Sequence, residues 1–275
     1  MSTAVNRSRR CRSTRRLANL FVALLILGGV AGCSVKEDRE VCPSMLIVGT
    51  DRLSETLAPY AIHVWGDGSY HCQDRIIPVD YTDRDWTHRV QKGYNTLVCM
   101  QGLDMSNLED NFVRIHYGEE SDRLWTHHSI VDCTGEYAYD QFIMHKQYCV
   151  LTIDVSGFEG EFPYTMEIRG ESCGYNLQTA EPVSGDFRAV PSNTDEGIWQ
   201  VILPRQRPQQ RLVLYLQKDG KTEYAIDVAN ALKESNYSWE TEDLNDAIIK
   251  LDSLSTELFF TGIDWEFGSE EEKEM

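Results

Sequence analysis

Gly170-Glu171-Ser172-Cys173-Gly174 has the G-x-S-x-G spacing of an acyl-transfer nucleophile. In that chemistry a strained strand-to-helix turn lifts the serine hydroxyl, and an acid and then a histidine follow it along the chain. Here residues 173–182 carry no helical pattern, and every histidine precedes the motif, the last being His145. The motif therefore reads as a glycine-flanked β-turn. The histidines, from His63 to His145, include no H-E-x-x-H or H-x-H spacing. His127 and His128 are adjacent, so on a strand they face opposite sides and cannot share an ion. Asp67, Asp74, Asp80, Asp83 and Asp85 lack the spacing of a calcium loop. No phosphate-binding or dinucleotide-binding glycine pattern occurs. The expectation is no catalytic residue, no metal ligand and no cofactor.

One cysteine does carry chemistry. Arg7, Arg9, Arg10, Arg12, Arg15 and Arg16 precede an apolar run, Leu17 to Val30, that ends in Val30-Ala31-Gly32-Cys33. A helix that spans a bilayer needs about 20 apolar residues, and this run is shorter. It has the flanks of a secretory signal, so residues 1–32 are set apart from the fold. The arrangement resembles a bacterial lipoprotein signal. That resemblance implies cleavage between Gly32 and Cys33, with a diacylglycerol on the Cys33 sulfur and an acyl chain, such as palmitate, on its new amino terminus. Several acyl chains anchor a protein stably without spanning.

Cys42, Cys72, Cys99, Cys133, Cys149 and Cys173 remain. An even number in an exported chain permits disulfides whose pairing sequence cannot settle. Cys99 and Cys149 sit inside apolar runs, where a buried free thiol fits equally well. No C-x-x-C occurs, so the spacing gives no zinc site.

Without residues 1–32 and their six arginines, the formal charge moves from −18 to −24. Such an acidic chain offers no basic patch for nucleic acid. It also gives anionic lipid nothing to attract, so membrane attachment rests on Cys33. A hydrophobic share of 41% is that of a folded chain.

The elements that must position any site read as strands. Leu151, Ile153 and Val155 alternate with Thr152 and Asp154; Leu212, Leu214 and Leu216 alternate with Val213 and Tyr215. Further short apolar runs are Met45–Val48, Ala61–Trp65, Thr96–Met100, Val113–Tyr117, Phe142–Met144, Tyr148–Val155, Tyr164–Arg169, Ile198–Leu203, Thr222–Ile226, Ala247–Leu251 and Leu258–Trp265. Gly66-Asp67-Gly68, Gly157 and Gly185-Asp186 read as turns, and Lys218-Asp219-Gly220-Lys221 as a hairpin. Val228–Glu234 is the one helical pattern. Many short strands with few helices predict an all-β chain of sandwiches. The expected division is 1–32 signal, 33–43 tether, 44–147 and 148–268 two tandem β-sandwiches, and 269–275 an acidic tail. No internal repeat is visible in the sequence.

The mature start, Cys33-Ser34-Val35-Lys36-Glu37-Asp38-Arg39-Glu40-Val41-Cys42-Pro43, resembles the opening of the FimB-like fimbrial anchoring lipoproteins of the Bacteroidetes. Ile226-Asp227-Val228, Asn236-Tyr237-Ser238-Trp239, the run Asp243 to Asp252 and Trp265 are similar to that family's end. Lys92-Gly93-Tyr94-Asn95-Thr96-Leu97-Val98-Cys99 is similar to one of its strand entries. Val228-Ala229-Asn230 and Asn245 depart from the family's usual residues. The resemblance implies two transthyretin-like sandwiches on the outer membrane. It also implies strand-addition contacts with fimbrial stalk or accessory subunits at the base of a fimbrium. Lys36-Glu37-Asp38 resembles a short export signal for surface exposure.

Two other functions fit a lipidated β-rich chain. A glycan-binding lipoprotein of a polysaccharide-uptake system would display coplanar exposed tryptophans or tyrosines. Trp65, Trp86, Trp125, Trp199, Trp239 and Trp265 are available, with Trp65, Trp199 and Trp265 expected in strands and in the core. A lipid-anchored hydrolase would need a base near Ser172 or a carboxylate pair in a cleft.

Overall fold

Two-residue alternation builds the central strands of the structure. The computed structural model describes residues 42–54, 59–66, 71–77, 85–158, 160–254 and 257–264. The signal run, Cys33, the tether up to residue 41, the tail, Trp265, Asp67, Asp80 and Asp83 lie outside them. Among the described residues no helix is long and apolar enough to cross a membrane.

The first half contributes β1 (Ser44–Gly49), β2 (Tyr60–Trp65), β3 (His71–Ile76), β4 (Trp86–Val90) and β5 (Tyr94–Gln101). After two short strands, β6 (Leu108–Glu109) and β7 (Phe112–Arg114), come β8 (Trp125–Asp132), β9 (Tyr137–Gln141) and β10 (His145–Lys146). The second half contributes β11 (Tyr148–Asp154), β12 (Thr165–Asn176), β13 (Glu181–Ala189), β14 (Ser192–Asp195), β15 (Ile198–Pro204), β16 (Leu212–Lys218) and β17 (Lys221–Asp227). A two-turn helix, α1 (Val228–Glu234), precedes β18 (Ala247–Leu254) and β19 (Glu257–Asp264).

These strands form two sandwiches with one wiring diagram. In the first, β1 pairs antiparallel with β4 and parallel with β9, while β2 pairs with β3 and β5, and β5 with β8. In the second, β11 pairs antiparallel with β15 and parallel with β18, while β12 pairs with β13 and β16, and β16 with β17. Strand for strand the connections correspond, so the chain repeats its topology without repeating its sequence. Backbone pairing and inward alternation specify this plan, and many side-chain sets satisfy both.

Each sandwich has its own core. Leu46, Val48, Ile62, Val64, Trp86 and Phe142 centre the first; Leu151, Ile153, Ile168, Leu203, Leu214 and Ile249 centre the second. A third cluster joins them. Val98 and Met100, on the outer side of β5, pack with Val113, Leu124, Tyr175 and Leu177. Val113 belongs to β7, which leaves the first half to pair with the end of β12. Gly174 makes that pairing possible, because a Cβ there would lie 2.0 Å from the Val113 carbonyl oxygen.

Most predicted strands are present, and α1 spans the predicted residues, with Asp227 as N-cap accepting from the Asn230 N–H. Asp219 and Gly220 both take positive φ, 51° and 73°, as a tight two-residue hairpin turn requires. Four expectations fail. Phe142–Met144 is not a strand, and Phe142 instead plugs the first core. Of Val113–Tyr117 only Val113 and Arg114 are strand, at the end of β7. Neither Gly170–Gly174 nor Gly185-Asp186 is a turn, for both lie inside the long β12–β13 pair. Register shifts at Gly170, Ser172 and Gly174 bulge this ladder, and a Cβ at Gly185 would meet the Cys173 sulfur at 2.4 Å. Glycine within a strand marks a bulge or close approach as readily as a turn.

Candidate interaction site

The junction of the two sandwiches is held by polar groups from the segment between α1 and β18. Asp243 Oδ1 accepts the Lys146 N–H at 2.7 Å, and its other oxygen lies 3.2 Å from His145 Nδ1. Asp246 Oδ1 accepts the Val150 N–H and the Lys146 ammonium, each at 2.7 Å. From the other side Arg205 donates to the carbonyls of Trp239, Thr241 and Glu242 at 2.5, 2.7 and 2.8 Å, and to Gln147 Oε1 at 2.7 Å. Burial lowers the Arg205 pKa from its ordinary value. Gln147, the one residue between β10 and β11, is thereby fixed.

Ser172 is fully buried and donates its hydroxyl to Gln210 Oε1. Gln210 Nε2 in turn donates to the Glu171 carbonyl at 2.8 Å. The strand continues through the motif, so the raised elbow of a nucleophile is not formed there.

His127 and His128 do face opposite ways. His127 points inward to Ser129 and Asp140, and His128 lies 3.0 Å from the Gln178 carbonyl oxygen. Burial alone would raise the Asp140 carboxyl. Hydrogen bonds from His127, Ser129 and the Gln141 N–H outweigh it and hold the group below the usual range. His63 is buried with Nδ1 3.1 Å from His71 Nε2 and Nε2 3.0 Å from Gln73 Nε2. Burial, and then the neighbouring His71, depress its pKa to about 4. Among the described residues no three histidine, cysteine or carboxylate side chains gather as a metal site.

All six described cysteines are free thiols. Cys99, Cys133 and Cys149 are buried, Cys72 and Cys173 half-buried, and Cys42 exposed. Burial raises the Cys99 pKa and pushes Cys149 up to about 12.

Two concavities are lined by described residues. A cleft of about 760 Å3 is lined by Tyr60, Ala61, Arg75, Met100, Leu103 and Met105. A groove of about 380 Å3 on the second sandwich is lined by Tyr117, Arg169, Arg188, Arg211 and Tyr215. Arg169 and Arg188 both hold the buried Glu167 carboxylate. Arg169 also covers the Tyr215 ring at 4.6 Å, and Arg188 the Tyr117 ring at 5.3 Å. Those rings are already stacked. Trp86 and Trp239 are buried, and Trp65 stacks on His71 at 5.1 Å. Trp65 and Trp199 are half-buried, each packed against an apolar cluster. Among the described residues no tryptophan platform is displayed.

What the surface offers instead is sheet edge. Strands β9, β14, β19 and β3 each end a sheet. An edge strand presents a row of backbone donors and acceptors to another chain. Of these, sequence reasoning found only β19, as Leu258–Trp265, because β3, β9 and β14 are too polar to register as apolar runs.

No family model matches this sequence, and no curated protein matches it. Solved structures do. A candidate adhesin from Bacteroides ovatus superposes with a TM-score of 0.56 at 11% identity, over 86% of this chain and 99% of that one. The fimbrial anchor protein Mfa2 from Porphyromonas gingivalis gives 0.55 at 12% identity, over 82% and 98%. A candidate polysaccharide-binding protein from Bacteroides thetaiotaomicron gives 0.52 at 10% identity, over 81% and 98%. At these identities the likeness establishes a shared all-β, two-sandwich fold.

Proposed function

We propose that this chain is a lipid-anchored structural subunit that attaches a fimbrium to the outer membrane. Cys33, cleaved from Gly32, carries the acyl chains. Eleven residues later β1 begins, so the folded part sits on a short tether at the cell surface. The protein divides into two domains at Gln147, and the junction made by Arg205, Asp243 and Asp246 keeps them in one orientation under load. Stalk or accessory subunits bind by strand addition, in which backbone hydrogen bonds give affinity and side-chain pockets give register.

The observation that supports this reading most is the fold shared with a fimbrial anchor over nearly that protein's whole length. The lipoprotein-like start adds the anchor itself. A surface glycan receptor, the other non-enzymatic reading, finds less support in the groove, where Arg169 and Arg188 already lie against the rings of Tyr215 and Tyr117.

The test is a comparison of native outer membranes from wild type and Cys33→Ala cells. Wild-type membranes should retain fimbrial polymer with this protein, and the variant should shed both into the medium. Polymer that stays on the membrane in the variant would refute the anchoring role.

A further inference from the structure

The two sandwiches differ at one corresponding edge. In the second, the outer side of β18 is paired with β19, antiparallel, from Ile248 opposite Asp264 to Leu254 opposite Glu257. In the first, the corresponding strand β9 pairs on one side with β1, and among the described residues nothing pairs with its other side.

Two backbone hydrogen bonds define which groups are left over. Met45 N–H donates to the Glu136 carbonyl at 2.9 Å, and Phe142 N–H donates to the Gly49 carbonyl at 3.1 Å. In a parallel ladder with Met45 opposite Tyr137 and Gly49 opposite Gln141, this phase turns residues 136, 138, 140 and 142 toward β1. The N–H and C=O groups of Tyr137, Tyr139 and Gln141 consequently point away. The Gln141 N–H is met by Asp140 Oδ1 at 2.8 Å. Tyr137 and Tyr139 therefore present two donors and two acceptors in a row. Their side chains are 61% and 71% exposed on the outer face.

Edge strands are commonly blunted by proline, lysine or a bulge. β9, Tyr-Ala-Tyr-Asp-Gln, has none of these, and its register with β1 is unbroken. The charge around it is negative, with Asp132 and Glu136 exposed before the strand and Asp140 within it.

We propose that the outer edge of β9 is the acceptor for an added strand: an extended, basic-flanked segment of a fimbrial subunit, running antiparallel to β9 as β19 runs against β18. This rests on the structural-subunit reading above and names its contact. Tyr137 and Tyr139 are the docking residues. They supply the backbone pairs and, through their rings, favour aromatic or β-branched residues opposite. Lysine or arginine beside the segment meets the exposed Asp132.

Amide hydrogen exchange on the full lipidated protein, with and without fimbrial polymer purified from the same cells, reads this directly. The Tyr137 and Tyr139 amides should slow by about tenfold or more on adding polymer, as newly paired amides do. Ala138 and Asp140, already paired to β1, should change little. Tyr139→Pro removes one outward N–H without touching a bond to β1, so it should fold, stay in the membrane fraction and lose polymer. Tyr139→Phe should retain polymer. Polymer held normally by folded Tyr139→Pro, or protection on binding that leaves Tyr137 and Tyr139 unchanged, would overturn the proposal. So would protection of those amides by this protein's own concentration alone, since the edge would then join copies of this chain. Failure of Cys33→Ala to shed polymer would refute anchoring and leave the β9 contact to stand or fall on these results.

Discussion

Asp246 holds the ammonium of Lys146 at 2.7 Å across 100 positions of sequence, and with the same oxygen it accepts the amide of Val150, the third residue of β11. One carboxylate thus ties the last residue before Gln147 to the first core strand after it. Asp243 and Arg205 complete the arrangement from either side, each through backbone groups.

The junction should fail when its cation is shortened. Arg205→Ala leaves the carbonyls of Trp239, Thr241 and Glu242 without this donor, and hydrogen bonds to charged groups contribute about 1.5–3 kcal/mol each. Because the losses overlap, the expected destabilisation is about 3 kcal/mol, measured by urea unfolding. Arg205→Lys should recover less than half of this, because an ammonium cannot span the carbonyls that a planar guanidinium reaches.

Gly174→Ala should cost about 3 kcal/mol, the range for a core clash that moves backbone. A new Cβ would strike the Val113 carbonyl oxygen at 2.0 Å, forcing β7 off β12. Exchange of the Val113 and Ile115 amides, followed beside the global unfolding curve, would show whether the loss is local to that junction.

Stability should fall as the solution is acidified from neutrality. His63 has a folded pKa of about 4 against an ordinary 6.5, so the unfolded chain binds the proton more tightly. The stability from keeping it neutral is whole above pH 6.5 and is lost as pH falls toward 4. The expected loss over that window is about 2 kcal/mol, at 1.36 kcal/mol per unit with allowance for relaxation. Urea unfolding of wild type and His63→Gln at pH 7.5 and 4.5 checks this: the variant should lose less than the wild type.

Thiol reactivity should sort by burial. In the native protein iodoacetamide should label Cys42 readily and leave Cys99 and Cys149 unmodified, because burial holds both as thiols at neutral pH. Denaturation without reductant should expose all six to the reagent, read by intact mass. A disulfide would appear as two missing labels.

Ser172→Ala should lower stability by about 1 kcal/mol, the ordinary value of one buried hydrogen bond. Wild type and variant should be equally unreactive to a fluorophosphonate probe. Labelling of wild type that vanishes in Ser172→Ala would show a nucleophile where the fold has a packed hydroxyl.

Legibility followed the strength of the alternating pattern. β11 and β16 were plain in the sequence, since Leu151–Ile153 and Leu212–Leu216 put every second residue into a core. The hairpin at Asp219-Gly220 was equally plain, because few residues adopt two consecutive positive φ values. β3, His-Cys-Gln-Asp-Arg-Ile, could not be read this way. It has one buried residue and is held by its pairing with β2. β8 was hidden by its histidines, which replace apolar residues on a strand that nonetheless lies half in the core.

From the residues alone came the all-β class, the helix at Val228–Glu234, the hairpin, and the basic-apolar start with Cys33. These are local properties, written in side-chain period and in φ preference over a few residues. Only the tertiary structure decided that the chain uses one wiring diagram twice, that β7 crosses to the second sandwich, and that β9 ends its sheet among the described residues where β18 is paired on both sides. Those features are made by backbone hydrogen bonds between distant segments. Backbone groups are the same in every residue but proline, so their pairing leaves almost no mark on the identity of the side chains.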